Sequence, residues 1–354
     1  MAALPRTLPE TPAQATPPRG EAEPGMMTAL GRMASAAGAP VTHLMADFAA
    51  LSLGQGRLAF SDYERLRLFD AGFWGLADRR EVVGTRRGRE LVRQANFRRD
   101  AGALAADRLA SGAYLAAHGL PSVPLIAIYR EGLAAPGGRL LRTRDELRQF
   151  LAERSGEPLV ARPAEGGRAR FLFADPRRDP AAEIDRMVDD VGDTPGVSWL
   201  FQPRVQPHPT NARRLGGRLT SVRFLTLAGD LGPRVLRAFW RLGGRDDLIA
   251  SLEATSGRAL ELFPAAAPQR AQPAPADLAV PDWARLKATA SEGARLFAQF
   301  GLLGWNVAPA AEGPVILGLD PAPDLDLWQL ADRRGLMAPE FLAFLAERRQ
   351  TAGG

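Results

Sequence analysis

Four consecutive stretches, Leu219–Leu227, Pro233–Leu242, Leu248–Glu253 and Ala259–Phe263, alternate apolar with polar side chains. Short segments rich in glycine and aspartate or serine part them. A period of two puts successive side chains on opposite faces, so each stretch reads as a strand with one buried face. Connections this short join antiparallel neighbours. Residues 219–263 are therefore expected to form an antiparallel meander, with long basic side chains on one face.

Helices and short strands flank the meander. Residues 107–118 have a helical pattern that Gly119-Leu120-Pro121 ends, and Val123–Tyr129 reads as a strand. Thr143 with Glu146 forms a capping box for a helix running through Leu151. Leu159–Pro163 and Phe171–Phe173 read as a hairpin around a glycine-containing turn, residues 180–192 as a helix, and Ser198–Pro203 as a strand. Past the meander, four prolines between 264 and 280 mark a loop. Asp282–Phe300 is an amphipathic helix, and Gly304–Ala308 with Gly313–Asp320 a strand pair, before a terminal helix. Strands and helices grouped in this way specify an α+β fold.

The N-terminal third differs. Residues 1–25 hold six prolines and almost no bulky apolar side chains, and are expected to be disordered. Residues 26–56 suit one or two helices. Phe60, Tyr63, Leu66 and Phe69 share a helix face, with Ser61 and Glu64 as its capping box. The expected division is a tail (1–25), a helical region (26–106), a small α/β lobe (107–196), a larger lobe (197–335) and a C-terminal helix and tail (336–354).

Composition excludes several chemistries. The 354 residues contain no cysteine, which rules out disulfides, thiolate metal sites and a cysteine nucleophile. His43, His118 and His208 lack metal-ligand spacing. No apolar run reaches the roughly 18 residues a membrane span needs, so a cytoplasmic protein is expected. Of 45 basic residues only Lys287 is lysine, and the net charge is +5. No Walker phosphate loop is possible without a lysine in place. Nine arginines against five acids between 78 and 108 read either as a solvated helix face or as a polyanion-facing surface. No aromatic interleaving supports nucleic acid as a partner.

Several segments, in order, resemble the ATP-grasp superfamily over roughly residues 58–335. The branch they suggest is the sugar-transfer-associated type, related to the α-L-glutamate-ligase-like proteins. They are Phe60–Tyr63 with Arg67–Asp70; Asp107-Arg108 followed by Gly119-Leu120-Pro121; and Leu159–Pro163 with Gly166-Gly167. Leu219–Thr226, Phe239–Gly243, Gly304–Val307 and Gly313–Asp324 continue the series. The resemblance implies an ATP-grasp fold, two α+β lobes clamping ATP, here with a helical N-terminal extension. It also implies an ATP- and magnesium-dependent carboxylate ligase working through an acylphosphate on a small-molecule or glycan-linked carboxylate.

Carried over residue by residue, Arg108 and Arg162 stand at the family's two ATP-lysine positions. Gly166 and Gly167 form its phosphate loop, or a plain hairpin turn. Gln202 to Val205 lines the adenine pocket, with Pro203 replacing an expected acid. Arg223 and Arg241 hold the charge of the reacting phosphate. Asn306 and Asp320 would bind Mg2+, an oxygen-seeking cation. Gly318 stands where the family's bridging glutamate belongs, so the metal site is incomplete. The alternative is a catalytically degenerate member that binds a nucleotide or a partner without ligating.

Overall fold

The structure, a computed structural model, describes residues 25–96, 102–129, 138–164, 169–192, 196–230, 232–244 and 247–353. The tail expected over 1–25 lies outside them apart from Gly25. A helical layer comes first: α1 (Met26–Ala37), α2 (Val41–Ser52), α3 (Phe60–Arg65), α4 (Leu76–Arg80) and α5 (Thr85–Ala95). Leu30, Met33, Leu44, Tyr63, Leu66 and Trp74 close one buried cluster within it. The cap of α3 differs from the expected Ser61–Glu64 box. The helix is capped two residues earlier, at Ala59, and the Asp62 carboxylate accepts the Ala59 N–H at 3.0 Å. Asp62 prevails because the same carboxylate also accepts the Thr85 hydroxyl at 2.7 Å and Arg65 at 2.9 Å, tying α3 to α5. Three arginines of the 78–108 run pair locally, Arg79 with Asp47 and Arg86 and Arg87 with Glu90, which Arg57 also joins. That favours the plain helix-face reading over a polyanion surface.

After α6 (Gly102–Ala106) and α7 (Arg108–Ala117), a first sheet is built from β1 (Ala127–Tyr129), β2 (Arg139–Leu141), β3 (Leu159–Pro163), β4 (Arg170–Leu172) and β5 (Trp199–Pro203). Their order is β2-β1-β5-β3-β4, antiparallel except for β1 with β2. Between them, α8 (Arg144–Glu153) and α9 (Pro180–Gly192) cover one face. Leu147, Phe150, Leu151, Met187 and Val188 meet Ala127, Leu159, Ala161 and Phe201 there. The Thr143–Glu146 capping box starts α8 as the sequence expects. β5 sits at the centre of this sheet, although the sequence division at 196/197 assigns Ser198–Pro203 to the larger lobe. Conversely α7, assigned to the small lobe, buries Leu115 in the core of the second sheet.

α10 (Pro209–Leu215) leads into that second sheet. The expected meander is β6 (Ser221–Gly229), β7 (Gly232–Gly243), β8 (Leu248–Leu252) and β9 (Ala259–Pro264). β10 (Gln272–Pro273) adds an edge, then α11 (Trp283–Leu296), β11 (Leu302–Ala310), β12 (Gly313–Asp320), α12 (Asp326–Asp332) and α13 (Pro339–Gly353) complete the chain. Seven antiparallel strands lie in the order β10-β9-β8-β7-β6-β11-β12. The α+β class is as the sequence expects. Among the described residues no helix is long and apolar enough to cross a membrane.

Alternation gives the second sheet two faces. Val222, Phe224, Trp240, Trp305 and Val307 pack under Leu286, Ala290, Ala294 and Phe297 around α11. Leu225, Leu227, Phe239, Ile249 and Leu302 pack under Leu91, Trp328, Phe341 and Phe344 from α5, α12 and α13. The second face carries on past those helices, and its next residues are polar.

Candidate functional site

Register alone assembles the polar end of that face. Arg223 on β6 pairs with Asn306 on β11, which pairs with Gly318 on β12. Gly304 pairs with Asp320 and Ser221 with Arg241. Antiparallel partners share a face, and residues two apart on a strand share it too. Arg223, Arg241, Asn306, Gly318 and Asp320 thus line one surface where β6, β7, β11 and β12 end. A β-bulge helps. Asn306 opposes Gly318 while Val307 opposes Ile316, so Leu317 is the extra residue of β12.

The first sheet faces this surface. Its β3 carries Arg162, whose Nη1 donates to the bulged Leu317 carbonyl at 3.4 Å. Arg108, the first residue of α7, donates from Nη1 to the Pro163 carbonyl at the end of β3, at 2.9 Å. The Ile316 N–H donates to the Pro121 carbonyl at 2.7 Å, so the segment after α7 runs beside β12. Four elements, α7, β3, β6 and β7, therefore deliver four arginines to one cleft between the sheets.

The electrostatics follow from that crowding. Burial pushes the Arg223 guanidinium below its usual range. Arg241 adds to the push, Asp320 and Asp247 oppose it, and Arg108 contributes again. Arg162 is lowered by burial and then by Arg108, and Arg108 by burial. Arg241 is held by a two-pronged ion pair to Asp247, at 2.6 and 2.7 Å. Among the described residues neither Arg162 nor Arg223 has an ion-pair partner, and the Nε of Arg162 is buried with no acceptor. Burial raises the Asp320 carboxyl, opposed by the Ala322 N–H at 3.1 Å and by Arg223, with Asp324 adding to the rise.

Two cavities adjoin the arginines. One of about 300 Å³ lies between α7 and β12, lined by Arg108, Ser111, Arg162, Gln202 and Gly318. The other, about 470 Å³, lies between the Gln202–Val205 connector and the β7–β8 turn, lined by Arg162, Arg204, Val205, Arg218 and Gly244. Gln202, which lines both cavities, donates its side-chain amide to the Val123 carbonyl at 3.1 Å. A further cavity, about 680 Å³, lies at the opposite end of β7 and β8. Its cations are engaged: Arg237 with Asp332, Arg333 with Glu261, and Lys287 over the Trp283 ring.

Of the residues singled out in the sequence, Arg108, Arg162, Gln202 and Val205 line the two cavities, whereas Arg223, Arg241, Asn306 and Asp320 line the adjoining strand surface and neither cavity. Gly166 and Gly167 lie outside the described residues. Sequence reasoning missed Asp247 as the partner of Arg241, and Arg204 and Arg218 as lining residues. The turn chemistry at Gly243-Gly244, both with positive φ, was the available signal for the first.

Magnesium can be tested against the residues present. Mg2+ takes six oxygens in octahedral array and relies on carboxylates. Among the described residues Asp320 is the carboxylate beside Asn306 and Gly318, with Asp324 near it, while Asp247 is held by Arg241. The Asn306 amide oxygen is buried without a partner. At Gly318 an added Cβ would meet nothing within 4 Å, yet the position carries no carboxylate. Among the described residues no three His, Cys, Asp or Glu side chains group as a metal site. The metal clamp implied by the resemblance does not fit this surface.

No protein-family pattern matches the sequence, and no curated protein does. Among solved structures, the chain is similar to the ATP-grasp ligase PsnB complexed with precursor peptide PsnA2 and AMPPNP, at 16% identity and a TM-score of 0.39. It is also similar to the D-alanine-D-alanine ligase from Coxiella burnetii, at 10% identity and a TM-score of 0.43. Each likeness covers 72% of this chain and 61% of the other, so the chain spans about three-fifths of the length of either. A RimK domain protein ATP-grasp from Sphaerobacter thermophilus is similar at 17% identity and a TM-score of 0.38, over 69% of this chain and 70% of that one.

Proposed function

We propose that the cleft between the sheets holds the phosphates of ATP and that the chain is an ATP-dependent carboxylate ligase of the ATP-grasp type. The observation that carries this is the meeting of Arg108, Arg162, Arg223 and Arg241 from four separate elements beside cavities lined by Gln202 and Val205. The base would occupy the 470 Å³ cavity against the connector. In the reaction a substrate carboxylate oxygen attacks the γ-phosphorus and the bond to the β–γ bridging oxygen breaks. ADP leaves and an acylphosphate remains. An amine then attacks the acyl carbon and inorganic phosphate departs. On this reading Arg223 and Arg241 hold the negative charge that gathers on the transferring phosphoryl group.

The resemblance suggests a small-molecule or glycan-linked carboxylate as substrate and the cytoplasm as the place of action. Calorimetric titration with ATP tests the reading. Saturable binding below millimolar concentration is expected, and absence of heat at millimolar nucleotide would end it.

One observation favours a second reading, a degenerate member that binds without ligating: position 318 is open yet carries no carboxylate. On that reading ATP binds but no panel of carboxylates and amines releases ADP. The double variant Gly318→Glu with Asn306→Asp would then create ATP hydrolysis absent from the parent. Full turnover by the unaltered protein would remove this reading.

A further inference from the structure

The mismatch between the arginine cluster and the metal clamp has its own consequence, and it rests on the phosphate-binding reading above. We infer that this cleft binds a polyphosphate chain directly through guanidinium groups, without a divalent cation. Among the described residues, Arg162, Arg223 and Arg241 lie close to two carboxylates, Asp247 and Asp320, with Asp324 beyond Asp320. Asp247 is committed to Arg241 by its two short bonds. Arg162 and Arg223 are partly buried, each has a like charge nearby, and neither has an ion-pair partner among the described residues.

Taking cations out of water without anions is costly, and a buried charge is retained where a partner of opposite sign completes it. The missing partner here is an anion with several charges spread along its length, because the arginines come from both sheets. A guanidinium presents a planar fork of donors to phosphate oxygens, so two or three of them neutralise a phosphate chain that would otherwise need a metal ion.

The other residues on this surface agree. Gly318 contributes no charge where there is room for a side chain. Asn306 carries a buried amide oxygen with no donor. An amide can turn to present its NH2 group to a phosphate oxygen, which a carboxylate cannot do. A magnesium complex of a nucleotide arrives with part of its charge already cancelled, and so is the poorer match to an excess of cations. Bare triphosphate is the better one.

The test is isothermal calorimetry on the full chain with two probes, ATP and inorganic tripolyphosphate, each in EDTA and in excess Mg2+. Binding of both in EDTA at least as tight as in Mg2+ is expected, together with a loss of roughly tenfold or more for Arg162→Gln. Binding of ATP only with Mg2+ overturns the inference and leaves the nucleotide reading standing. Tripolyphosphate binding in EDTA without ATP binding does the reverse. Silence with both probes sinks both. Gly318→Glu gives a second readout that does not depend on losing the fold. It should weaken binding in EDTA roughly tenfold and make Mg2+ favourable. An unchanged metal response in that variant would show that position 318 does not face the phosphates and would overturn the inference.

Discussion

Arg223 holds its charge partly out of water, beside Arg241, with attraction from Asp320 and Asp247 only at a distance. Burial and the like charge both disfavour the free protein and the two carboxylates offset them only in part, so the residue is a poor choice for folding. Arg223→Met keeps the length of the side chain and removes the charge. It is expected to raise the unfolding free energy by about 1 kcal/mol, as replacement of uncompensated buried charge often does. Nucleotide affinity should fall roughly tenfold or more with the loss of a charge-assisted hydrogen bond. Urea denaturation with calorimetry reads both. A variant that loses stability along with binding would mark Arg223 as a structural residue. Val222 and Phe224 made Arg223 legible in the sequence, because two buried neighbours send the residue between them to the opposite face. Nothing comparable announced Asp247, whose pairing with Arg241 depends on a turn of positive-φ residues that pattern does not resolve.

At the scale of elements, alternation was the strong signal and pairing the weak one. The meander stands where its apolar period puts it, and α11 lies where its stripe of Leu286, Ala290 and Ala294 demands. β5 was assigned to the wrong side of a boundary because Trp199-Leu200-Phe201 is a short apolar run that would suit the core of either sheet. α10 was not foreseen, since a Pro209 start capped by His208 resembles a loop. Close fit between elements is also invisible in a pattern. Gly293 of α11 faces Trp305 of β11, and a Cβ there would stand 2.5 Å from the indole ring. The Trp305 Nε1 in turn donates to the Thr226 hydroxyl at 2.9 Å, so the ring cannot slide aside without breaking that bond. Gly293→Ala is expected to cost about 2 kcal/mol, within the range for overpacking, and to shift tryptophan emission. Thr143→Ala, which removes the cap of α8, should cost about 1 kcal/mol and leave nucleotide affinity untouched. Urea melts of the two variants check both values. Equal stability of Gly293→Ala and the parent would mean that α11 can lift from the sheet without penalty.

The helical layer and the larger sheet are joined by a polar seam, and that seam sets how the whole molecule responds to pH. Gln329 of α12 donates to the Val83 carbonyl at 3.0 Å and accepts the Val83 N–H at 2.8 Å. Beside it Arg65 bridges Asp62 and Asp326. Asp326 is 4% exposed. Burial pushes its carboxyl up to about 7, Asp324 adds to the rise, and Arg65 opposes it. A carboxyl raised in the folded chain binds a proton between roughly pH 4 and 7 that the unfolded chain has already released. Stability from this group is therefore greatest below about pH 4, falls as pH rises through that window, and is level above about 7. Asp320 and Asp332 are raised by burial too and act in the same direction. Asp62 is lowered, since its hydrogen bonds to Thr85, Ala59 and Arg65 outweigh burial, so its own window lies below the ordinary carboxylate range. The unfolding free energy measured in urea should thus decline from pH 5 to pH 7, and Asp326→Asn should flatten part of that decline. An identical slope in the variant would assign the proton elsewhere. The seam matters for the site as well. α12, which carries Asp326, also carries Trp328, whose Nε1 donates to the Arg223 carbonyl at 3.4 Å. Loosening the seam at high pH would release the strand that presents Arg223, so nucleotide affinity in Asp326→Asn should vary less between pH 6 and 8 than in the parent. Calorimetry at the two pH values decides it, and equal variation in the two proteins would uncouple the seam from the cleft.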